Sequence, residues 1–284
     1  MPDTSVNMPL WLETILIKIC DLIFELVPRQ IPSFEILGKC KIVSHRGQHD
    51  NKIVFENTIA SFDKVLETNE IWGIEFDFRW TKDLYPVVIH DPDLQRLHGV
   101  NRLVSDTALD ELKQLCPLVP TLEEVLNRYG KKLHLMVEVK EELYPEPEKQ
   151  VLILKNLFSD LEPAKDFHLI SLDPQMLEKI NFLDNTAKIL VAEFNVNELS
   201  RIALEKNYAG FAGHYILLRN KVIRKHLKSG QTIGVGYPRS KNSLFRELNR
   251  SVDWIFSNDA VGLNIIFQTE LKKVQSFQNS GCIN

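Results

Sequence analysis

The 284-residue sequence has no basic excess: 34 lysines and arginines stand against 38 aspartates and glutamates, a formal net charge of −4. A protein that grips a phosphate backbone by counterion release carries a basic stripe, and no Lys/Arg-rich run occurs, which excludes a general nucleic-acid binder. Any phosphate it holds must be met by a small local site. Cysteine is scarce as well: Cys20, Cys40, Cys116 and Cys282 lie far apart with no C-x-x-C pair. A disulfide-stapled scaffold is therefore not expected, and a reducing compartment, the cytoplasm, is. With 12 glycines, 13 prolines and 44% hydrophobic residues, the composition excludes low complexity and disorder.

Long uncharged apolar runs are also missing. The stretch Leu10 to Val27 contains Glu13, Lys18, Asp21 and Glu25, whereas a membrane span needs about 20 residues nearly free of charge. At helical spacing Lys18, Asp21 and Glu25 fall on one side and Leu12, Ile15, Leu16, Ile19, Ile23 and Leu26 on the other. The spacing predicts an amphipathic helix within a 1–40 extension, its apolar side packed on a main domain at 41–284. Because the polar side is mixed in charge, membrane contact is expected to be peripheral at most. The leading MPDTSVNMP carries no basic cluster, so it lacks the pattern of a secretory signal.

From residue 41 onward, eight β-rich runs alternate with helical patterns: KIVSH (41–45), GIEFDFR (73–79), LHLMVEV (133–139), FHLISL (167–172), KILVAEF (188–194), YAGFAGH (208–214), TIGVGY (232–237) and DWIFSN (253–258). Helix starts are signalled by Asp173-Pro174 and by Thr121-x-x-Glu124, a capping box. That alternation in roughly 240 residues predicts a closed (β/α)8 TIM barrel of the α/β class. An open doubly wound sheet is the next choice, but no G-x-G-x-x-G follows the first strand. Pro86–His90 is read as a short excursion near the barrel mouth. No G-x-S-x-G occurs, so no nucleophile elbow is expected.

A barrel of this type builds its chemistry where the strands end. The first strand ends in His45-Arg46-Gly47; the second carries Glu75 and Asp77, two apart and hence on one side; a later strand repeats the pattern with Glu138 and Lys140. Three carboxylates converging on one volume call for a cation, and hard Mg²⁺ or Ca²⁺ selects oxygen ligands. A buried Glu138–Lys140 salt bridge is the competing account of that pair. His90-Asp91 ends the apolar run from Pro86. Two histidines near a metal, with Arg46 and Lys140 beside them, are the parts needed to cleave a phosphodiester: one imidazole accepts a proton, the other donates to the departing alkoxide. Of the remaining histidines, His98, His134, His168, His214 and His226 are expected to be structural; His214, closing its strand with Tyr215, has a second reading as a lining residue of the substrate pocket, with an ordinary polar strand end preferred.

His45-Arg46-Gly47, Glu56-Asn57-Thr58, Glu75-Phe76-Asp77 followed by Thr81-Lys82-Asp83, Pro86 to Asp91, and Glu138-Val139-Lys140 together resemble the ordered signature of the glycerophosphodiester phosphodiesterase family. The resemblance implies a metal-dependent TIM-barrel hydrolase of deacylated or lysophospholipid diesters. It implies His45 and His90 as the acid/base pair, Glu75, Asp77 and Glu138 as metal ligands, and Arg46 and Lys140 as phosphate contacts. Glu56 is implied near the pocket, while Asn57 and Thr58 are expected to cap a helix. The second half resembles the family in rhythm alone, with Gly236-Tyr237-Pro238-Arg239 where a Trp-Thr-Val-Asn run is common, and the family's insertion after the second strand is short here. Two alternatives stay open: a sphingomyelinase D-like lyase that releases a cyclic phosphate, and a catalytically silent phosphodiester-binding protein.

Overall fold

A computed structural model describes residues 19–279. Its strands are β1 (Lys41–His45), β2 (Gly73–Trp80), β3 (Pro86–Val88), β4 (His134–Val139), β5 (Phe167–Ser171), β6 (Lys188–Ala192), β7 (Gly210–His214), β8 (Thr232–Gly236) and β9 (Trp254–Ser257). Apart from β3, they run parallel in the order β1-β9-β8-β7-β6-β5-β4-β2, and β1 also pairs with β2, His45 opposite Glu75, which closes the ring into a (β/α)8 barrel. The short β3 folds back antiparallel on the far end of β2, with Phe78 opposite Val88 and Trp80 opposite Pro86. The expected excursion at Pro86 is therefore a hairpin that extends β2 beyond the wall.

Helices cover the outside: α1 (residues 19–26), α2 (Phe34–Gly38), α3 (Ile59–Glu67), α4 (Gln95–His98), α5 (Leu109–Leu115), α6 (Leu122–Tyr129), α7 (Pro147–Leu157), α8 (Pro174–Lys179), α9 (Val196–Glu205), α10 (Asn220–Lys228), α11 (Lys241–Leu248) and α12 (Ala260–Asn279). The Thr121–Glu124 capping box forms at the start of α6 as the spacing predicts. Sequence periodicity misses α2, α4 and α5, which are too short to show a repeat. The last two lie in the segment after β3, which buries its own small core of Val87, Ile89, Leu94, Val104 and Leu112.

Strand β2 shows how the sequence sorts itself between layers. Ile74, Phe76, Phe78 and Trp80 face the layer between strands and helices, where Phe76 packs against Phe62 of α3. Each such buried side chain contributes about 1.5–3 kcal/mol. The alternate residues, Glu75 and Asp77, face the barrel interior. Lower in the interior a second core gathers Val43, Met136, Ile170, Ile189, Ala212 and Phe256. His134 and His168 also lie buried there, their rings hydrogen-bonded at 2.8 Å. His226, likewise buried, bonds to Ser200 and Gln231.

Of the helix predicted over Leu10 to Val27, residues 10–18 lie outside the described residues. The part that is described packs by the side opposite to the one expected. Asp21 bonds to the hydroxyl of Tyr215, the Phe24 ring lies 5.6 Å from that of Tyr215, and the Arg246 guanidinium sits 4.4 Å above Phe24. Asn242 donates to the Glu25 carbonyl at 2.6 Å. Ile19, Leu22, Ile23 and Leu26 are exposed, Leu26 by 70%. One aromatic ring and specific polar contacts fasten the helix, so its apolar stripe is not what docks it.

Candidate active site

The turn after β1 begins the site. Arg46 (φ 58°) and Gly47 (φ 77°) are both left-handed, and a Cβ on Gly47 would lie 2.4 Å from Ser61 Oγ. Only glycine fits that second position. The turn folds Arg46 back across β2: its backbone N–H donates to the Glu75 carbonyl at 2.8 Å, its guanidinium donates to Glu56 at 3.0 Å and lies 3.4 Å from Asp77. His45 Nδ1 is 2.6 Å from Asn258 Oδ1, which accepts. On the other side of the ring, Nε2 lies 3.7 Å from Glu75 and receives a 3.2 Å hydrogen bond from the Tyr237 hydroxyl. Burial, with the Arg46 charge adding, pulls His45 down to about 3, so it is neutral at physiological pH.

Glu75, Asp77 and Glu138 each bring one carboxylate oxygen to within 4.8 Å of the others. All three are buried. Lys140 bonds to Glu138 and lies 2.7 Å from Asp77, so the buried salt bridge expected as a competing account is present alongside the cluster. It does not satisfy the cluster. Burial raises Asp77, but Lys140 and Arg46 outweigh it and hold that group well below the ordinary carboxylate range. Glu75 is pushed well above its range by burial and by Asp77 and Glu138; Glu138 is raised by burial and Asp77. Glu75 Oε1 is buried without a hydrogen-bond partner. A free buried oxygen amid an uncompensated negative charge fits a divalent cation held by oxygen donors.

The β3 hairpin carries His90. The Ile89 N–H donates to the Asp77 carbonyl at 3.0 Å and Arg79 Nε donates to the His90 carbonyl at 2.7 Å, fixing the residue to β2. Its Nδ1 is 2.8 Å from Asp91, which is bonded to Arg96; Arg96 in turn donates to Glu56 at 2.6 Å. Burial lowers His90, with Asp77 and Asp91 opposing. Burial also raises Glu56, yet Arg96 and Arg46 bring it down to about 2. Paired charges thus run from His90 through Asp91, Arg96, Glu56 and Arg46 to Asp77, Lys140 and Glu138. Buried ion pairs seldom raise stability, which makes positioning the better account of so many here.

These groups meet in one cavity of about 360 Å³ at the barrel mouth, lined by His45, Arg46, Glu75, His90, Glu138 and Lys140 on one side. Ile170, Leu172, Val191, Phe194, Ile216 and Leu217 line the other. The profile of the glycerophosphoryl diester phosphodiesterase family matches residues 45–251. The chain belongs to that family.

A glycerophosphodiester phosphodiesterase of Bacillus subtilis (strain 168) is 28% identical over 246 residues, 76% of this chain and 82% of the relative. One from Caldanaerobacter subterraneus subsp. tengcongensis is 37% identical over 128 residues, 40% of this chain and 51% of the relative. The chain spans about half the length of the curated relatives it matches at the highest identity. The same fold occurs in a phosphodiesterase of Oleispira antarctica in complex with the product sn-glycerol-3-phosphate (TM-score 0.67, 20% identity, covering 80% of this chain and 96% of that one). It also occurs in a glycerophosphodiester phosphodiesterase of Thermotoga maritima (TM-score 0.64, 22% identity, 79% and 96%).

In this member of the family, all eight residues singled out from sequence, Glu56 included, come together around the cavity mouth. Thr58 caps α3 as expected, but Asn57 instead donates to Asp77 at 2.8 Å. His214, expected to be structural, lines the cavity. Sequence reasoning misses Arg96, Tyr237 and Asn258 as parts of the site. Arg96 lies between the Pro86–Asp91 and Glu138–Lys140 motifs, outside both, with only the charge of Asp91 as a signal. Tyr237 stands in the Gly236–Arg239 stretch, where this chain departs from a run common in the family, and Asn258 follows the last strand with no motif around it.

Proposed function

We propose that this family member is a divalent-metal-dependent phosphodiesterase that hydrolyses glycerophosphodiesters to glycerol phosphate and a free alcohol. The observation that carries the reading is the convergence, in one cavity, of two differently supported histidines and a buried carboxylate cluster with an unsatisfied oxygen. Glu75, Asp77 and Glu138 would hold one Mg²⁺ or Ca²⁺, which supplies Lewis-acid relief of charge on the phosphoryl oxygens. Arg46 and Lys140 meet the same oxygens. His45 donates its Nδ1–H to Asn258 and leaves Nε2 unprotonated, its lone pair met by the Tyr237 hydroxyl, so it acts as the base that takes a proton from an attacking water that displaces that hydroxyl. His90 has Asp91 behind its Nδ1, which offsets part of the burial that lowers the group, so once protonated its Nε2–H donates to the departing alkoxide.

Residues 41–284 are the catalytic unit of this reading and 1–40 its extension. Among the described residues no helix is long and apolar enough to cross a membrane, and the free thiols of Cys20, Cys40 and Cys116 suit the cytoplasm. Phosphorus NMR of glycerophosphocholine incubated with the protein and Mg²⁺ or Ca²⁺ tests the reading. A phosphomonoester that disappears when chelator is in excess is the expected result. A cyclic phosphate would replace hydrolysis by the lyase reaction, and an unchanged diester would overturn catalysis.

A further inference from the structure

Strand β2 outruns its neighbour. Its last residue paired with β4 is Phe78, opposite Val139, and Arg79 and Trp80 continue beyond that ladder toward the β3 hairpin. A side chain takes over where β4 ends: Glu142, in the loop after β4, accepts the Trp80 N–H at 3.1 Å. The second oxygen of this carboxylate lies 3.7 Å from the Arg79 guanidinium, whose Nε donates to the His90 carbonyl at 2.7 Å. Both side chains are largely withdrawn from water, Glu142 being 15% and Arg79 12% exposed. Arg79 is the charge that faces Glu142 from β2. In its own loop Glu141 is exposed, and Tyr144 packs edge to face on Trp80 with the Lys179 ammonium of α8 5.1 Å above the Tyr144 ring.

A carboxylate and a guanidinium taken out of water together gain little stability from each other, and neither Glu142 nor Arg79 lines the cavity. The residue they hold does. The geometry points to Glu142 as a positioning residue for His90: anchored on the Trp80 N–H, its carboxylate keeps Arg79 against the His90 carbonyl and so keeps the imidazole aimed at the departing alkoxide. This inference rests on the phosphodiesterase reading above, in which His90 is the acid. Asp91 supports the ring at Nδ1, while the Glu142–Arg79 pair fixes the main chain from which the ring hangs. The hold depends on ionisation. Burial pushes Glu142 up to about 7, with the Arg79 charge and the Trp80 N–H opposing. Above that pH the carboxylate is charged and grips Arg79; below it the acid is neutral and the ion pair is lost.

The test uses the full chain with saturating Mg²⁺ or Ca²⁺, whichever supports turnover. At about pH 8.5, Glu142→Gln is expected to lower kcat for glycerophosphocholine about tenfold with KM little changed. On a nitrophenyl diester, whose leaving group needs no proton, kcat should match the wild type. Glu142→Asp should recover part of the loss. As pH falls through 7 the wild type protonates Glu142 and should approach the glutamine variant, so the ratio of their rates shrinks. Equal losses on the two diesters would mean that Glu142 serves the fold rather than His90 and would overturn the inference, as would a ratio that stays constant with pH. Should Glu142→Gln fail to fold, Arg79→Met reads the same hold: loss on glycerophosphocholine alone supports it, and equal loss on both diesters overturns it. If the wild type hydrolyses no diester, the phosphodiesterase reading fails, and NMR still reads the hold. Slower solvent exchange of the Arg79 Nε–H in the wild type than in Glu142→Gln supports it, and equal exchange overturns it.

Discussion

The two sides of the barrel mouth are built on opposite principles. On the side of β1, β2 and β4, every wall position that faces the cavity is charged or an imidazole, and each is held by a neighbour: Arg46 by Glu56, Lys140 by Glu138, His45 by Asn258. On the side of β5 to β7, aliphatic side chains line the wall and little holds them beyond packing. The first side is specific because reaction chemistry needs particular atoms at particular distances. The second is permissive because many combinations of Ile, Leu and Val make the same surface. Substitutions on the first side should change the rate of reaction with every substrate, and those on the second should change which substrate is preferred.

The largest effect is expected from Glu75→Gln, which removes a ligand from the carboxylate cluster. Loss of several kcal/mol of charge stabilisation corresponds to about 10³-fold or more in kcat. The fold should not suffer. Glu75 is raised well above its ordinary range, so in the metal-free protein its proton is bound more tightly folded than unfolded, and stability falls as pH rises past the ordinary carboxylate value of 4.5. The glutamine lacks that penalty, and the metal-free variant should melt at or above the wild-type temperature at neutral pH. A variant that melts well below wild type would show that the residue serves the fold and would blur the contrast between the two sides.

Next come the histidines. His45→Ala and His90→Ala should each lower turnover by about 10²- to 10⁴-fold, the scale of a positioned acid or base. A nitrophenyl diester, whose leaving group needs no proton, should restore much of the rate to His90→Ala and none to His45→Ala. Rescue of His45→Ala alone would reverse the assigned roles. Smaller again is Arg96→Met, which breaks the connection from Asp91 to Glu56. The expected loss is about tenfold in kcat with KM little changed, and recovery by Arg96→Lys would separate a charge that positions His90 from a side chain that merely packs.

The contrast between the sides also explains what could be read from sequence. The convergence of His45, Glu75, Asp77, His90, Glu138 and Lys140 was legible because their residue types mark strand ends and the strand register fixes their spacing. Alternation of β-rich and helical runs was enough for the barrel. Arg96 was not legible, since its role arises only when a short helix after the hairpin brings it beside Glu56, forty residues away in sequence. The orientation of α1 was misread for a related reason. Its stripe of Ile and Leu predicts a buried face, yet Asp21 and Phe24 find partners at Tyr215 and Arg246 that no local pattern announces.

The smallest expected effect tests that fastening. Phe24→Ala removes the ring between Tyr215 and Arg246, and a loss of about 1 kcal/mol would lower Tm by about 2–4 °C. Turnover of glycerophosphocholine should be unchanged. A fall in that turnover without a change in Tm would mean that α1 reaches the charged side of the mouth, and the division between the two sides would have to be redrawn.

The β3 hairpin gives the mouth an unusual economy of motion. His90 hangs from the same strand that bears Glu75 and Asp77, tied by the Ile89 to Asp77 and Arg79 to His90 hydrogen bonds. The proposed proton donor and two of the proposed metal ligands therefore move as one rigid arm, with no loop closure needed to bring them into range. Thickening the solvent with sucrose should slow turnover no more than it slows diffusion of the substrate, and a saturating ligand should leave hydrogen exchange at Ile89 unaltered, because that amide is already locked before anything binds.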